Sequence, residues 1–188
     1  MEKSNKKNKV TEVKTFPVKV PLRENQEIIT IFTNTPKKLS KEQIINQAFT
    51  FHSEGNISEA TRLYQYFINQ GFKDHRVFSN YGVILKNLGK LQEAEITYRK
   101  AIEIKTDYAE AHNNLGNILR DLGKLQEAEL STRKAIEIKP DFAEAHYNLG
   151  IILKDLGKLQ DAELYTRKAI EIKPDYAEAH FHLGNIFK

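Results

Sequence analysis

Between residues 109 and 122, small or apolar side chains fall at Ala111, Leu115, Ile118, Leu119 and Leu122, with charged or amide side chains between them. That spacing is one face of an α-helix. Past Gly123 a second run carries Leu125, Ala128, Ala135, Ile136 and Ile138 and stops before Pro140. Glycine ends the first helix by entering the left-handed region, and proline bars extension of the second. The same two-helix pattern returns in residues 143–176, identical to residues 109–142 at 28 of 34 positions. A looser copy occupies residues 75–108, a degraded one residues 41–74, and a partial fifth residues 177–188. A fixed 34-residue period predicts an all-α solenoid of antiparallel helix pairs, because each hairpin leaves an apolar face for the next to cover.

The ends of these elements are also legible. Ser40 with Gln43 resembles a capping box opening the first helix. Asp107 with Glu110, Asp141 with Glu144 and Asp175 with Glu178 read as acidic variants of the same device. Gly55, Gly89 and Gly157 stand where Gly123 does. Small residues at Gly116 and Ala128 predict a close approach of the two helices, repeated at Gly82/Ala94, Gly150/Ala162 and Ala48/Ala60. Residues 1–39 read as a separate basic tail preceding an array over residues 40–188. Met1–Lys14 is Lys/Asn-rich, with little to bury, and reads as disordered. The prolines extend Phe16–Pro21, and Glu27–Thr33 suits either a short strand or an extended segment laid over the first helices.

Charge sharpens this division. Residues 1–40 hold nine Lys/Arg against four Glu, whereas residues 41–188 hold 20 basic and 21 acidic side chains. The basic excess lies in the tail, and the array is electrically mixed. The absence of cysteine excludes a disulfide framework and a thiolate metal site. No apolar run approaches the length of a bilayer span, and the charged start is not followed by a signal-peptide apolar segment. A cytoplasmic location is the expectation.

The core positions resemble those of the tetratricopeptide repeat family. Leu115-Gly116, Ala128, Ala135 and Pro140 match its pattern, as do Leu149-Gly150, Ala162, Ala169 and Pro174. His112, His146 and His180 replace the aromatic of the first helix, and Leu119 and Leu153 replace its later Tyr. Thr132 and Thr166 stand at the second-helix aromatic that Tyr64 and Tyr98 retain. The run LGNILRDLGKLQEAE…RKAIEIKPDF further resembles the repeats preceding the catalytic region of the O-linked N-acetylglucosamine transferase family and of other bacterial transferases.

The resemblance implies that first helices line a concave groove that holds extended peptides. Carried over by position, the sixth residues are Asn80, Asn114 and Asn148, and the fifth are Asn113 and Tyr147. Asn117 stands at the ninth, and Lys86, Arg120 and Lys154 at the twelfth. An amide both donates and accepts, so a ladder of them could pair with any peptide backbone, though Asn there also serves helix pairing. One cation per unit would favour acidic side chains or a terminal carboxylate, but Asp121 and Asp155 follow directly.

Other chemistry finds little footing. Equivalent histidines one unit apart would lie about 10 Å from each other, too far to share a zinc ion, so a packing role is expected and no metal. Glu127 and Glu129 read as helix-surface charges, and no glycine has the context of a phosphate loop. No catalytic residue and no cofactor is expected. The tail lacks the interleaved aromatics of a nucleic-acid site in its first dozen residues. Phe181, Leu183, Ile186 and Phe187 surround the last helix, which suggests either a longer array or end-to-end self-association. Taken together, these features point to a non-catalytic protein–protein interaction scaffold. The competing class is the recognition region of a larger transferase, whose catalytic domain would lie outside this chain.

Overall fold

The computed structural model describes residues 39–187. The expectations for the tail and for Lys188 lie outside the described residues. Among the described residues there are nine helices and no strand. In order they are α1 (Lys41–Ser53), α2 (Ile57–Asn69), α3 (His75–Asn87), α4 (Leu91–Ile104), α5 (Ala109–Asp121), α6 (Leu125–Ile138), α7 (Ala143–Asp155), α8 (Leu159–Ile172) and α9 (Ala177–Leu183). Each odd-numbered helix through α7 packs on the even-numbered helix after it, and each even-numbered helix on the next odd one; α5 also touches α7. The result is the all-α solenoid that the period implies.

The helix ends are built locally. At α1 the Ser40 hydroxyl accepts from the Gln43 backbone N–H at 3.2 Å, while Gln43 Oε1 accepts from the Ser40 N–H at 2.9 Å. After α5, Gly123 adopts φ +75°; its N–H donates to the Arg120 carbonyl and that of Lys124 to the Leu119 carbonyl. These two bonds satisfy carbonyls that the helix end would otherwise leave free.

The acidic capping boxes at α5, α7 and α9 are not formed. Tyr108, Phe142 and Tyr176 hold the cap positions and make no side-chain cap bond. At α7 and α9 the preceding chain turns tightly, with the Phe142 N–H on the Lys139 carbonyl and the Tyr176 N–H on the Lys173 carbonyl. Each aspartate therefore sits inside the turn, one residue too early to cap. The ammonium groups of Lys105, Lys139 and Lys173 lie 4.9–5.6 Å from the centres of these cap aromatics, a cation–π distance.

The core runs through the pairs as rows of repeated positions. Ala94, Ala128 and Ala162 are fully buried, as are Ala101, Ala135 and Ala169. The close approaches at the first-helix glycines are present. A methyl group at Gly116 would overlap Thr132 Oγ1 and lie 3.3 Å from the Ala128 carbonyl oxygen; Gly150 stands likewise against Thr166 and Ala162. Around Gly82 the same space is filled by the Tyr98 ring.

Candidate functional site

With the core positions committed, the side chains left for binding are those the first helices present at the fifth, sixth, ninth and twelfth places of each unit. Their surroundings differ from unit to unit. Asn80 on α3 is half-buried beside Tyr64, whose pKa burial raises and Asn80 lowers. Asn114 on α5 is half-buried and makes no hydrogen bond to any described residue. Asn148 on α7 is buried, and its Nδ2 donates to Asn113 Oδ1 at 2.9 Å. Asn113 is itself buried and donates from Nδ2 to Glu144 Oε1 at 3.1 Å. The two amides and the carboxylate thus form a relay that ties α5 to α7.

The ninth and twelfth positions vary as much. Asn117 is half-exposed with no hydrogen bond to a described residue. Lys86 is exposed and meets no carboxylate among the described residues. Arg120 pairs with Asp121 at 3.2 Å and reaches Asp155 at 3.8 Å. Lys154 Nζ donates to the Asn185 carbonyl at 2.7 Å. Two of the three cations are therefore engaged within the fold, and the row is not uniformly free.

Tyr147 packs against Tyr176 and His182, with ring centres 5.1 and 5.8 Å away. Burial pushes its hydroxyl pKa up, with the Glu178 charge adding to the rise and Arg120 opposing it. Burial lowers the pKa of His182. At the other end of the stripe, an open pocket of about 340 Å³ lies between α1 and α3, lined by Phe49, His52, Ser53 and Asn80.

The recurring histidines have a role that the sequence does not announce. Nε2 of His112, His146 and His180 lies 2.8–3.0 Å from the carbonyl oxygens of Thr106, Pro140 and Pro174. A carbonyl only accepts, so each ring carries its hydrogen on Nε2 and fastens the loop entering its own unit. His146 also stacks on Tyr165 at 5.9 Å. Among the described residues no three His, Asp or Glu side chains gather as metal ligands, and no helix is long and apolar enough to cross a membrane.

The geometry agrees with known proteins. A TPR repeat model matches residues 82–123 and 116–157, and a tetratricopeptide repeat model matches residues 143–176. Together they span residues 82–176, just over half of the chain. No curated protein matches in sequence. Among solved structures, the chain is similar to YrrB, described as a TPR protein with an unusual peptide-binding site. The TM-score is 0.69 at 23% identity, over 76% of this chain and 74% of that one. It is similar to MamA from Desulfovibrio magneticus RS-1, with a TM-score of 0.70 at 22% identity over 78% and 82% of the two chains. It is also similar to the first TPR of Spaghetti (RPAP3) bound to the HSP90 peptide SRMEEVD, with a TM-score of 0.58 at 23% identity over 60% and 89%.

Proposed function

The chain belongs to the tetratricopeptide repeat family, and from that premise we propose that it is a non-catalytic interaction scaffold holding an extended partner segment along its first helices. One observation carries the reading. Asn114 and Asn117, on one helix and partly exposed, have amides that no described residue uses. Donors and acceptors in that state suit the alternating N–H and C=O groups of an extended backbone. Asn80, Tyr147, Lys86 and Arg120 extend the surface to either side, and Asn113 acts by orienting Asn148. The relatives captured with a peptide, or described by a peptide site, make such a partner a reasonable expectation.

Peptide display against the full chain tests this. A selected peptide should lose roughly three- to tenfold in affinity on Asn114→Ala and again on Asn117→Ala, the effect of one hydrogen bond each. Failure of any peptide to enrich would refute the scaffold reading. A second reading, the recognition region of a longer transferase, rests on the likeness of LGNILRDLGKLQEAE to repeats of that class. The gene sequence downstream of Lys188 separates the two.

A further inference from the structure

The pocket between α1 and α3 differs in chemistry from the equivalent places further along. Phe49, His52 and Ser53 are the ninth, twelfth and thirteenth residues of their unit, and Asn80 is the sixth of the next. The corresponding sets are Val83, Lys86, Asn87 with Asn114, then Asn117, Arg120, Asp121 with Asn148, then Ile151, Lys154, Asp155 with His182. Every later set contains a Lys or an Arg. The first contains none, and has an aromatic ring where the others have an aliphatic or amide side chain.

One hydrogen bond beneath the pocket sets its polar edge. The hydroxyl of Tyr64 lies 3.2 Å from His52 Nδ1, and Asn80 lines the pocket opposite that histidine. Burial pushes the Tyr64 pKa up to about 12, so its hydroxyl keeps its hydrogen. Tyr64 is fully buried and His52 Nδ1 is its hydroxyl's one hydrogen-bond partner among the described residues, so Nδ1 accepts that hydrogen. His52 is thereby fixed as the tautomer carrying its hydrogen on Nε2, and Asn80 keeps its carbonyl oxygen to offer. Ser53 Oγ donates inward to the Thr50 carbonyl at 2.8 Å, so its lone pairs remain as acceptors. The Phe49 ring is braced by Tyr64, whose centre is 6.2 Å away, and by the Arg76 guanidinium at 5.7 Å.

We propose that this pocket is the specificity subsite of the bound segment, seating one aromatic or branched aliphatic side chain against Phe49. The His52 Nε2–H and the Asn80 carbonyl oxygen meet the C=O and N–H of the residue that carries it. At about 340 Å³ the space suits one large side chain and its backbone rather than a whole cofactor. No formal charge lines it, and the nearby Arg76 is already paired with Asp74 at 2.9 Å, so it does not favour the acidic side chains that Lys86 and Arg120 would accept further along. The proposal rests on the first-helix stripe being a peptide site, and goes beyond it in naming which residue type anchors the peptide and where.

The test is a titration of the full chain, followed by backbone amide resonances, with N-acetyl-phenylalanine methylamide and separately with N-acetyl-aspartate methylamide. The phenylalanine probe should shift the Ser53 and Asn80 amides, and the aspartate probe should not. Ser53 is exposed, so Ser53→Trp fills the mouth without entering the core. It should weaken the phenylalanine probe about tenfold or more, while circular dichroism shows an unchanged helix content. Equal response to the two probes, or a phenylalanine response that survives Ser53→Trp, overturns the assignment. Selected peptides that bind Ser53→Trp as well as wild type, yet weaken on Asn114→Ala, would sink the subsite and leave the scaffold reading intact.

Discussion

Replacing Gly116 by alanine sets two opposing effects against each other. A glycine inside a helix costs about 0.5–1 kcal/mol relative to alanine, so on propensity alone the change should stabilise. The structure opposes this, because the new methyl would overlap Thr132 Oγ1 and press on the Ala128 carbonyl oxygen at 3.3 Å. Thr132 is fully buried and β-branched, so it has little freedom to rotate aside. Overpacking of this kind costs about 1–3 kcal/mol, leaving a net loss of about 1 kcal/mol. For a chain of this length that lowers Tm by about 2–4 °C. Thr132→Ala removes the obstructing oxygen, so in the double variant the alanine at 116 should turn from harmful to neutral or better. Stacked arrays can unfold in stages, so urea melts should be followed by both far-UV circular dichroism and tyrosine fluorescence and compared as a double-mutant cycle. A rise in Tm for Gly116→Ala alone, or additive effects of the two substitutions, would show that the helices are not in contact there.

Three further outcomes follow from neighbouring features. Thr132 Oγ1 is buried without a partner, whereas Thr166 Oγ1 donates to the Ala162 carbonyl at 2.7 Å. Thr132→Val should therefore be neutral or stabilising and Thr166→Val should cost about 1 kcal/mol, and equal urea midpoints would contradict this. The Lys124 hydrogen bond, backed by Arg99, holds the Glu95 carboxyl below its usual pKa against burial; at Glu129, burial pushes upward and is outweighed by Lys158 and Arg133. Such groups contribute stability that is complete above the unfolded pKa of about 4.3 and is lost as pH falls through the lower folded value. Acid should thus lower Tm more steeply in wild type than in Glu95→Gln/Glu129→Gln, and parallel curves would refute the ion pairs. His146 is buried, bonded to the Pro140 carbonyl and stacked on Tyr165, whereas exposed His180 makes only the loop bond. His146→Ala should cost about 2 kcal/mol and His180→Ala about half that; equal losses in urea melts would remove the role of the stack.

What could be read from the sequence were features whose cause lies within a few residues or recurs with the period. Gly123 announces its turn because a positive φ is a local demand, and Ser40 with Gln43 because both bonds close within one helical turn. The failed caps at Asp107, Asp141 and Asp175 mark the limit. Their spacing to Glu110, Glu144 and Glu178 is right, but the turn before each helix displaces the aspartate and gives the cap to an aromatic. The histidine role depends on that same turn bringing a carbonyl within reach. The constant six-residue interval from Thr106, Pro140 and Pro174 was the available signal. Of the proposed binding stripe, the register was legible and the accessibility was not. Whether an asparagine faces solvent or its neighbour depends on which residue the next unit sets opposite it.

The six differences between residues 109–142 and 143–176 show why near-identical units still behave differently. Two of them change the joints. Where unit three carries Asn113, its amide meets Asn148 and Glu144 of unit four; where unit four carries Tyr147, its ring meets Tyr176 at the end of its own unit and His182 of the next. Ser131 bonds the His112 carbonyl within its own unit, but Tyr165 in its place stacks on His146 and accepts from Arg133 of the preceding unit at 2.7 Å. Two others, Asn117 against Ile151 and Arg120 against Lys154, alter the first-helix stripe. The rows that stay constant, such as Ala128/Ala162 and Ala135/Ala169, are fully buried, where every unit presents the same packing problem. A repeat array can therefore hold its core fixed while each joint and each stretch of stripe takes its own chemistry. A ligand laid along it would meet an aromatic pocket at one end, then the unengaged amides of Asn114 and Asn117, and at Arg120 and Lys154 cations already engaged with their neighbours.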